Sequence, residues 1–385
     1  MKTLGLVLAS VLALQFSAQA DDSHAKPQSM IDARLSPDGK RVALISFYQG
    51  RPILYVHSLV EGVADGKIVR PEDYSIRWVR WKDNDHLIVQ IEKTAQRPQY
   101  DERGGSYVIT RLISVTADGG EMHMIGEPLG GFTNPGASKV DIPKFHPQLE
   151  GDMLSLMPQA SGRILQSVDD SVQTLGHDPV RSIYAVDVAT GDHELVEKGD
   201  GRISAYLADK NAVARLGIGH DDGETLIYAR STGGGSWRQI HGYKSGDGEI
   251  FTPLAFMPAN PNLLYVLSNR GPDGKAGLWS FDTASGKFAE LIDAQADLSR
   301  HPSVQDGVLL GYSRKDGSHV YFDPAWQADY QAVSKTVNSS DVEVVDRTAD
   351  GSRALVAVRQ PQKPKVWWVL DRTGKSVDLW PAAEE

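Results

Sequence analysis

The chain has 385 residues, of which 40 are lysine or arginine and 50 are aspartate or glutamate, so its formal net charge is −10. This acidic balance argues against nucleic acid as a partner, because phosphate backbones require a basic face. The absence of cysteine excludes disulfides, thiolate zinc sites and a cysteine-linked lipid anchor, so the fold must be held by burial alone.

The first twenty residues, MKTLGLVLASVLALQFSAQA, predict a secretory signal peptide. Lys2 precedes an apolar run shorter than the ~20 residues that span a bilayer, and the small residues Ala18 and Ala20 form a cleavage site of the AxA type. We expect cleavage after Ala20, export to the periplasm or the medium, and no membrane insertion afterwards. Residues 21–30 are expected to form an N-terminal extension.

From residue 31 onwards one phrase recurs, consisting of a β-rich run, a tight polar turn and a shorter apolar run. The clearest copies are IYAVDVATGDHELV, LWSFDTASGKFAELI and WWVLDRTGKSVDLW, and weaker copies begin at residues 54, 112, 226 and 319. Turns such as SPDGK and TADGS supply the positive φ angles that hairpins need. Because no amphipathic helical stripe is evident, the sequence predicts an all-β fold.

Seven copies at this spacing indicate a β-propeller. The copies recur about every 52 residues between Leu54 and Trp367, close to the ~40 to 50 residues of a four-stranded blade. A β-sandwich also has many short strands, but runs such as LLYVLS at 263–268 are apolar on both faces, as strands between two neighbouring sheets must be. We therefore predict a seven-bladed β-propeller of four-stranded antiparallel blades over residues 31–380, followed by a tail at 381–385.

The predicted blades one and seven each contain a full set of strands, so the ring is expected to close by face packing, without a shared-strand latch. Two polar stretches rich in Gly and Pro, 93–107 and 126–143, interrupt the rhythm and are either binding loops or solvated excursions. The predicted blades span residues 31–70, 74–125, 144–198, 202–241, 251–293, 302–337 and 340–380.

The ordered series of motifs resembles the amino-terminal β-propeller of the prolyl oligopeptidase family of serine peptidases, most closely its bacterial exported acylaminoacyl peptidase and dipeptidyl aminopeptidase branch. The motifs include LSPDGKRVAL, VRWKDNDHLIV, LGIGHDDGETLIYAR, LYVLSNRGPDGKAGLWSFD and RTADGSRALVAV. The resemblance implies a propeller that covers the active site of an α/β-hydrolase domain and filters substrates by size. Only PAAEE follows the seventh predicted blade, so that catalytic domain is expected outside these 385 residues.

No GxSxG nucleophile elbow occurs in the sequence, although a hydrolase of this kind needs one to expose its serine. The nearest strings place Ser313 in GYSRK and Ser236 in GGSWR, and each lacks the second glycine of the elbow. Both serines are therefore interpreted as hairpin turn residues. We predict no catalytic residue within this chain.

Metal and cofactor motifs are also absent from the sequence, which has no HExxH and no calcium loop of the DxDxDG type. His220 with Asp221 and Asp222 is the one local cluster of histidine and carboxylates, and it is better explained as a turn. The string TGKS at 373–376 lacks the earlier glycine of a phosphate loop. We predict no metal ligand and no cofactor.

Two segments are candidates for binding a partner. The segment IRWVRW at 76–81 could form an aromatic and basic ligand platform, but tryptophan on a first blade strand more often belongs to the core. In dipeptidyl peptidases of the resembled family, a pair of propeller glutamates holds the substrate's amino terminus. No such pair aligns here, and the nearest candidates are Asp101, Glu102 and Arg103.

Three functions remain open from the sequence. The first is an exported, non-catalytic propeller that binds a peptide or protein, or pairs with a separately encoded α/β-hydrolase domain. The second is the propeller part of a serine exopeptidase whose catalytic domain lies outside this sequence. The third is a TolB-type scaffold of an envelope complex, for which the expected preceding α/β domain is not seen.

Overall fold

The computed structural model describes residues 30–48, 50–70, 74–96, 106–125, 153–169, 180–244, 246–271, 274–360, 363–372 and 377–378. These residues form 26 strands and one helix, and the strands build seven antiparallel sheets whose members follow one another in chain order. The prediction of a seven-bladed β-propeller is confirmed.

The blades are numbered in chain order. Blade one contains β1 (Met30–Leu35), β2 (Arg41–Tyr48) and β3 (Arg51–Ser58). Blade two contains β4 (Ser75–Trp81), β5 (His86–Gln96), β6 (Ser106–Thr116) and β7 (Met122–Ile125). Blade three contains β8 (Met153–Ser155), β9 (Arg163–Asp169), β10 (Arg181–Asp187) and β11 (His193–Glu197). Blade four contains β12 (Ala205–Ala208), β13 (Ala214–Asp221), β14 (Glu224–Ser231) and β15 (Gly234–Lys244).

The remaining three blades continue the same order. Blade five contains β16 (Phe251–Met257), β17 (Asn260–Ser268), β18 (Gly277–Asp282) and β19 (Lys287–Asp293). Blade six contains β20 (Ser303–Gln305), β21 (Val308–Ser313), β22 (His319–Tyr321) and the helix α1 (Pro324–Val337). Blade seven contains β23 (Val342–Arg347), β24 (Arg353–Gln360), β25 (Lys363–Asp371) and β26 (Val377–Asp378).

The turns that recur in the sequence share one hydrogen-bond pattern. In blade one, Ser36 Oγ accepts a hydrogen bond from the backbone N–H five residues further on at 2.9 Å, and Thr348 Oγ1 in blade seven does the same at 3.0 Å. Gly39 and Gly351 occupy the equivalent positions with φ of 70° and 71°. A side chain would strain both positions, which explains the glycine in SPDGK and TADGS.

The core is divided into seven apolar clusters, and each cluster lies between two consecutive blades. Leu54 and Val89, for example, pack between blades one and two, and Leu216 and Leu264 between blades four and five. Blades with a neighbour on each side must bury both faces, which accounts for the strands that are apolar throughout.

The ring closes at the contact of blades seven and one. Every described strand pairs only within its own sheet, so no strand is exchanged between the two ends of the chain. Leu35 N–H donates to Asp346 Oδ2 at 3.0 Å, Arg353 Nη1 donates to Gly39 O at 2.6 Å, and Trp367 packs in the cluster between the two sheets. Closure by face packing is confirmed.

Blades one and six depart from the predicted four strands. In blade one the fourth strand is reduced to an antiparallel bridge between Leu54 and Val69. In blade six the predicted fourth strand is wrong, because α1 takes its place. Asp323 caps this helix by accepting hydrogen bonds from two backbone N–H groups of its first turn, and the proline that follows Asp323 favours a helix start.

Candidate ligand site in the central channel

The first strands of six blades line three adjoining cavities, which places these strands around the propeller axis. The largest cavity, of about 460 Å³, lies between blades six, seven, one and two. Two smaller cavities, of about 300 and 220 Å³, adjoin it, and Arg80 and Gln305 line all three. The cavities are parts of one central channel, and the largest has the size of a small-molecule site.

The largest cavity is named the arginine cavity, because four guanidinium groups line it. Arg300 and Arg359 are the more exposed, whereas Arg34 and Arg80 are more deeply placed. They come from four different parts of the ring, and only tertiary structure brings them together. The other ionisable groups that line the cavity are His301, Tyr312, His319, Asp341, Glu343 and Asp346.

The ion pairs of the arginine cavity are long. The guanidinium of Arg34 lies 3.9 Å from Asp346, that of Arg300 lies 3.7 Å from Asp341, and that of Arg359 lies 3.9 Å from a carboxylate oxygen on β23. Arg34 also lies 3.5 Å from Asp32. These separations exceed the 2.7–3.2 Å of an N–H···O hydrogen bond, so the pairs are electrostatic contacts only.

Burial alters the ionisation of two channel carboxyl groups. Burial raises the pKa of Asp346 to about 6, although the charge of Arg34 and the hydrogen bond from Leu35 N–H oppose the shift. Burial also raises the pKa of Asp306, and it lowers the pKa of Arg80. Each shift has the sign expected when a charged group leaves water.

A turn from blade six reaches across the channel. Asp306 and Gly307 connect β20 to β21, with φ of 46° and 72°. Asp306 Oδ1 accepts a hydrogen bond from Leu156 N–H at 2.7 Å and lies 3.3 Å from Ser155 Oγ, both in blade three. Blades three and six lie on opposite sides of a seven-membered ring, so this turn lies inside the channel.

Ser313 forms the one Ser–His contact of the arginine cavity. It is the last residue of β21, it is 6% exposed, and its Oγ lies 3.0 Å from His319 Nε2 on the neighbouring strand. Burial lowers the pKa of His319, and its buried Nδ1 has no hydrogen-bond partner within the described part of the chain. A strand-to-strand pair of this kind lacks the strained elbow that exposes a nucleophilic serine.

The other sequence candidates lie apart from the channel. Ser236 is exposed near the start of β15. His220 is exposed near the end of β13, where Asp222 and Gly223 form a two-residue hairpin turn with φ of 43° and 76°. This is the turn that the sequence predicted around His220.

The tryptophans of the segment at 76–81 have different environments. Trp81 belongs to the core between blades one and two, and its Nε1–H donates to Arg34 O at 2.8 Å. Trp78 is half-buried and lines the second cavity, and the guanidinium of Arg80 lies 5.7 Å from its ring centroid. One face of the segment therefore packs in the core, and the other face lines the channel.

Several predictions fall on residues that the structure does not describe, namely the cleavage site at Ala18 and Ala20, the candidates Asp101, Glu102 and Arg103, and the TGKS turn. Within the described ranges, no group of three or more His, Asp or Glu residues could hold a metal ion. No helix in these ranges is long and apolar enough to cross a bilayer.

Sequence reasoning missed Arg34, Arg300, His319 and Glu343. Each is an ordinary residue of a strand or loop, and no local motif marks it. The available signal was the position in the repeat, because Arg34 and Arg80 each lie near the end of the first strand of a blade.

The seven sheets around a central channel define a β-propeller, and no protein-family model matches the chain. Over 240 residues, 60% of this chain, the sequence is 28% identical to dipeptidyl aminopeptidase BIII of Pseudoxanthomonas mexicana. The chain spans about a third of that curated relative, since the match covers 33% of its length. The chain is homologous to part of this protein, and the resemblance to the prolyl oligopeptidase family is confirmed.

The chain also resembles solved structures of peptidases. A structure from a study of two prolyl endopeptidases superposes with a TM-score of 0.50 at 14% identity, covering 92% of this chain and 50% of that chain. Oligopeptidase B from Leishmania major covers 93% of this chain and 49% of that chain, with 8% identity and a TM-score of 0.46. The first likeness shows the fold alone.

Proposed function

We propose that this chain is the peptide-binding propeller of an exported serine peptidase system and has no catalysis of its own. The homology to dipeptidyl aminopeptidase BIII, a protein named for its action on peptides, carries the proposal. The catalytic serine would belong to an α/β-hydrolase domain, encoded either separately or in a further segment of the same protein. Export would follow from the predicted cleavage after Ala20.

The channel supports a binding role. Propellers place ligands in their central channel or on the loops around it, and function depends on those side chains and not on the fold. Here charged groups from four blades converge on a cavity of about 460 Å³. A cavity of this size with several polar groups is the usual form of a ligand site.

The absence of a nucleophile elbow from the sequence supports the non-catalytic role. The Ser313–His319 contact joins two neighbouring strands of a hairpin. A nucleophilic serine of the hydrolase type instead stands on a strained turn between a strand and a helix, where the backbone supplies an oxyanion hole. We therefore expect no hydrolysis by these residues.

The test uses the purified mature chain in three assays: labelling by a fluorophosphonate probe, hydrolysis of Ala-Ala-p-nitroanilide, and titration with a set of fluorescent decapeptides. We expect no label, no hydrolysis and saturable binding of at least one decapeptide. Covalent labelling would contradict the non-catalytic role, and its loss in Ser313→Ala would locate the nucleophile. Failure of every decapeptide to bind would contradict the peptide-binding role.

A further inference from the structure

Three arginines of the arginine cavity have hydrogen-bond donors that the protein does not use. The side chains of Arg34, Arg300 and Arg359 make no hydrogen bond to any described residue, and their ion pairs are 3.5–3.9 Å long. Arg34 Nε is also buried without a partner. A guanidinium group carries five N–H donors, and a buried donor without an acceptor is unfavourable by about 1–3 kcal/mol.

The carboxylates of the cavity do not accept hydrogen bonds from these unused donors. Asp341, Glu343 and Asp346 each lie near one arginine, but at distances too long for a hydrogen bond. Asp32 contacts Arg34 and Arg80 from outside the cavity at 3.5 and 3.6 Å, and Asp297 lies 3.6 Å from Arg300, so each arginine of the cavity has a carboxylate nearby before any ligand enters. Among the described residues, no carboxylate oxygen thus lies within hydrogen-bond reach of Arg34, Arg300 or Arg359, and the site has no general excess of positive charge.

A carboxylate is the acceptor that fits guanidinium groups best. Its two oxygens match the two parallel N–H bonds of an arginine, and such charge-assisted pairs are about twice as strong as neutral hydrogen bonds. Arg300 and Arg359 have side chains 39% and 52% exposed, so they can reach an incoming group at the rim. The more deeply placed Arg34 would meet a group that enters further.

We propose that the arginine cavity binds the C-terminal carboxylate of a short peptide, with Arg300 and Arg359 as the contacting residues. This inference rests on the proposed peptide-binding function and specifies which end of the peptide is recognised. The exposed hydrophobic side chain of Val304, which lines the same cavity, would contact the last side chain of the peptide. Recognition is then by the chain end and tolerates different side chains.

The test compares N-acetyl-Ala-Ala-Ala with its C-terminal amide by isothermal titration calorimetry at pH 7, using the whole mature chain. The two ligands differ only in the terminal charge. We expect the acid to bind at least about tenfold more tightly than the amide, because charge-assisted hydrogen bonds are lost in the amide. Propionate, a carboxylate without a peptide, should bind at least about tenfold more weakly than the acid.

The variant Arg300→Gln/Arg359→Gln should reduce the acid-to-amide ratio to below about threefold. Arg163→Gln is the matched control, because Arg163 is also 39% exposed, pairs with Glu194 at 2.9 Å and lies outside the cavity. This control should keep the full ratio.

Equal binding of acid and amide would overturn the carboxylate site and leave the peptide-binding function intact. Equal binding of propionate and the acid would overturn the assignment to a peptide. If neither tripeptide binds while decapeptides do, the inference fails and the proposed function stands. If no peptide of any length binds, the proposed function fails as well.

Discussion

Asp346 shows how the channel changes the chemistry of a single side chain. Its carboxyl group has a pKa of about 6, against ~3.9 in an unfolded chain, because burial disfavours the charged form. The positive charges of Arg34 and Arg80 oppose this shift, and the negative charge of Asp32 reinforces it. The folded protein therefore holds a proton on Asp346 at a pH where the unfolded chain has lost it.

The first prediction concerns the pH dependence of stability. A raised pKa in the folded state means that the contribution of Asp346 is full at low pH and is lost as the pH rises through about 6. Between pH 4 and pH 7 the free energy of unfolding of the wild type should therefore fall by about 2 kcal/mol relative to that of Asp346→Asn. Urea unfolding of both proteins across this range measures the difference.

Asp350→Asn is the control for this prediction. Hydrogen bonds from Ser352 and Thr348 lower the pKa of Asp350 to about 2, so its carboxyl group is ionised in the folded state throughout the range. This variant should keep nearly the pH dependence of the wild type. Parallel curves for the wild type and Asp346→Asn would show that Asp346 titrates normally.

The sequence could predict local side-chain roles but not the channel. The turn near His220 was predictable because Asp222 and Gly223, which follow His220 by two and three positions, carry the positive φ angles. Leu35 and Asp346, by contrast, are hydrogen-bonded across 311 positions of the chain. No spacing rule connects them, because they meet only when the ring closes.

At the scale of elements, the repeated turns explain why the blades could be predicted and α1 could not. SPDGK and TADGS each specify their own hairpin through hydrogen bonds within five residues. The spacing of the repeats in the sequence therefore equals the spacing of the blades in the fold. The segment starting at residue 319 was assigned to strands because it stands at a repeat position. Asp323 and Pro324 were the local signal for a helix, because aspartate is a favoured N-cap and proline is favoured at the first helical position. Here this local signal outweighs the repeat position, and α1 replaces the outer strand of blade six.

The second prediction concerns the start of α1. Asp323→Ala removes the acceptor for the N–H groups of Ala325 and Trp326, at 2.7 and 3.3 Å. The free energy of unfolding should fall by about 1 kcal/mol, the usual effect of losing an N-cap. Urea unfolding monitored by tryptophan fluorescence measures it.

Gln331→Ala provides the comparison for this helix, because Gln331 is exposed in the middle of α1 and should change stability by less than about 0.5 kcal/mol. Equal stabilities of the two variants would mean that the cap does not contribute. A stabilising effect of Asp323→Ala would contradict the assignment of the helix start.

At the scale of the whole molecule, the seven clusters make a ring of similar interfaces. Blades seven and one bury Leu44, Leu355 and Trp367 between them as completely as blades four and five bury Leu216 and Leu264. The closing interface therefore has the same kind of packing as the interfaces between blades joined directly by the chain. A ring of this kind has no seam at which unfolding should begin.

The third prediction compares two interfaces by matched substitutions. Leu355→Ala and Leu264→Ala each remove a leucine side chain that is 0% exposed, the first at the closing interface and the second between blades four and five. Each should lower the free energy of unfolding by about 2–5 kcal/mol, and the two values should agree within about 1 kcal/mol. Calorimetric and urea unfolding should both show a single transition.

A much smaller effect of Leu355→Ala, or a separate early transition in that variant, would show that the ring opens at blades seven and one before the rest unfolds. The comparison is informative because the two substitutions are chemically identical. Any difference then reports the position in the ring.

The turn at Asp306 and Gly307 determines how a polypeptide could occupy the axis. Its hydrogen bond to Leu156 in blade three holds the turn within the channel, where it lines the second cavity and narrows the space at the axis. A folded-back loop needs room for two strands about 5 Å apart, whereas a single chain end needs half that width. If the proposed peptide binding takes place in this channel, a single chain end would fit beside the turn more easily than a folded-back loop or an intact folded protein without a protruding end.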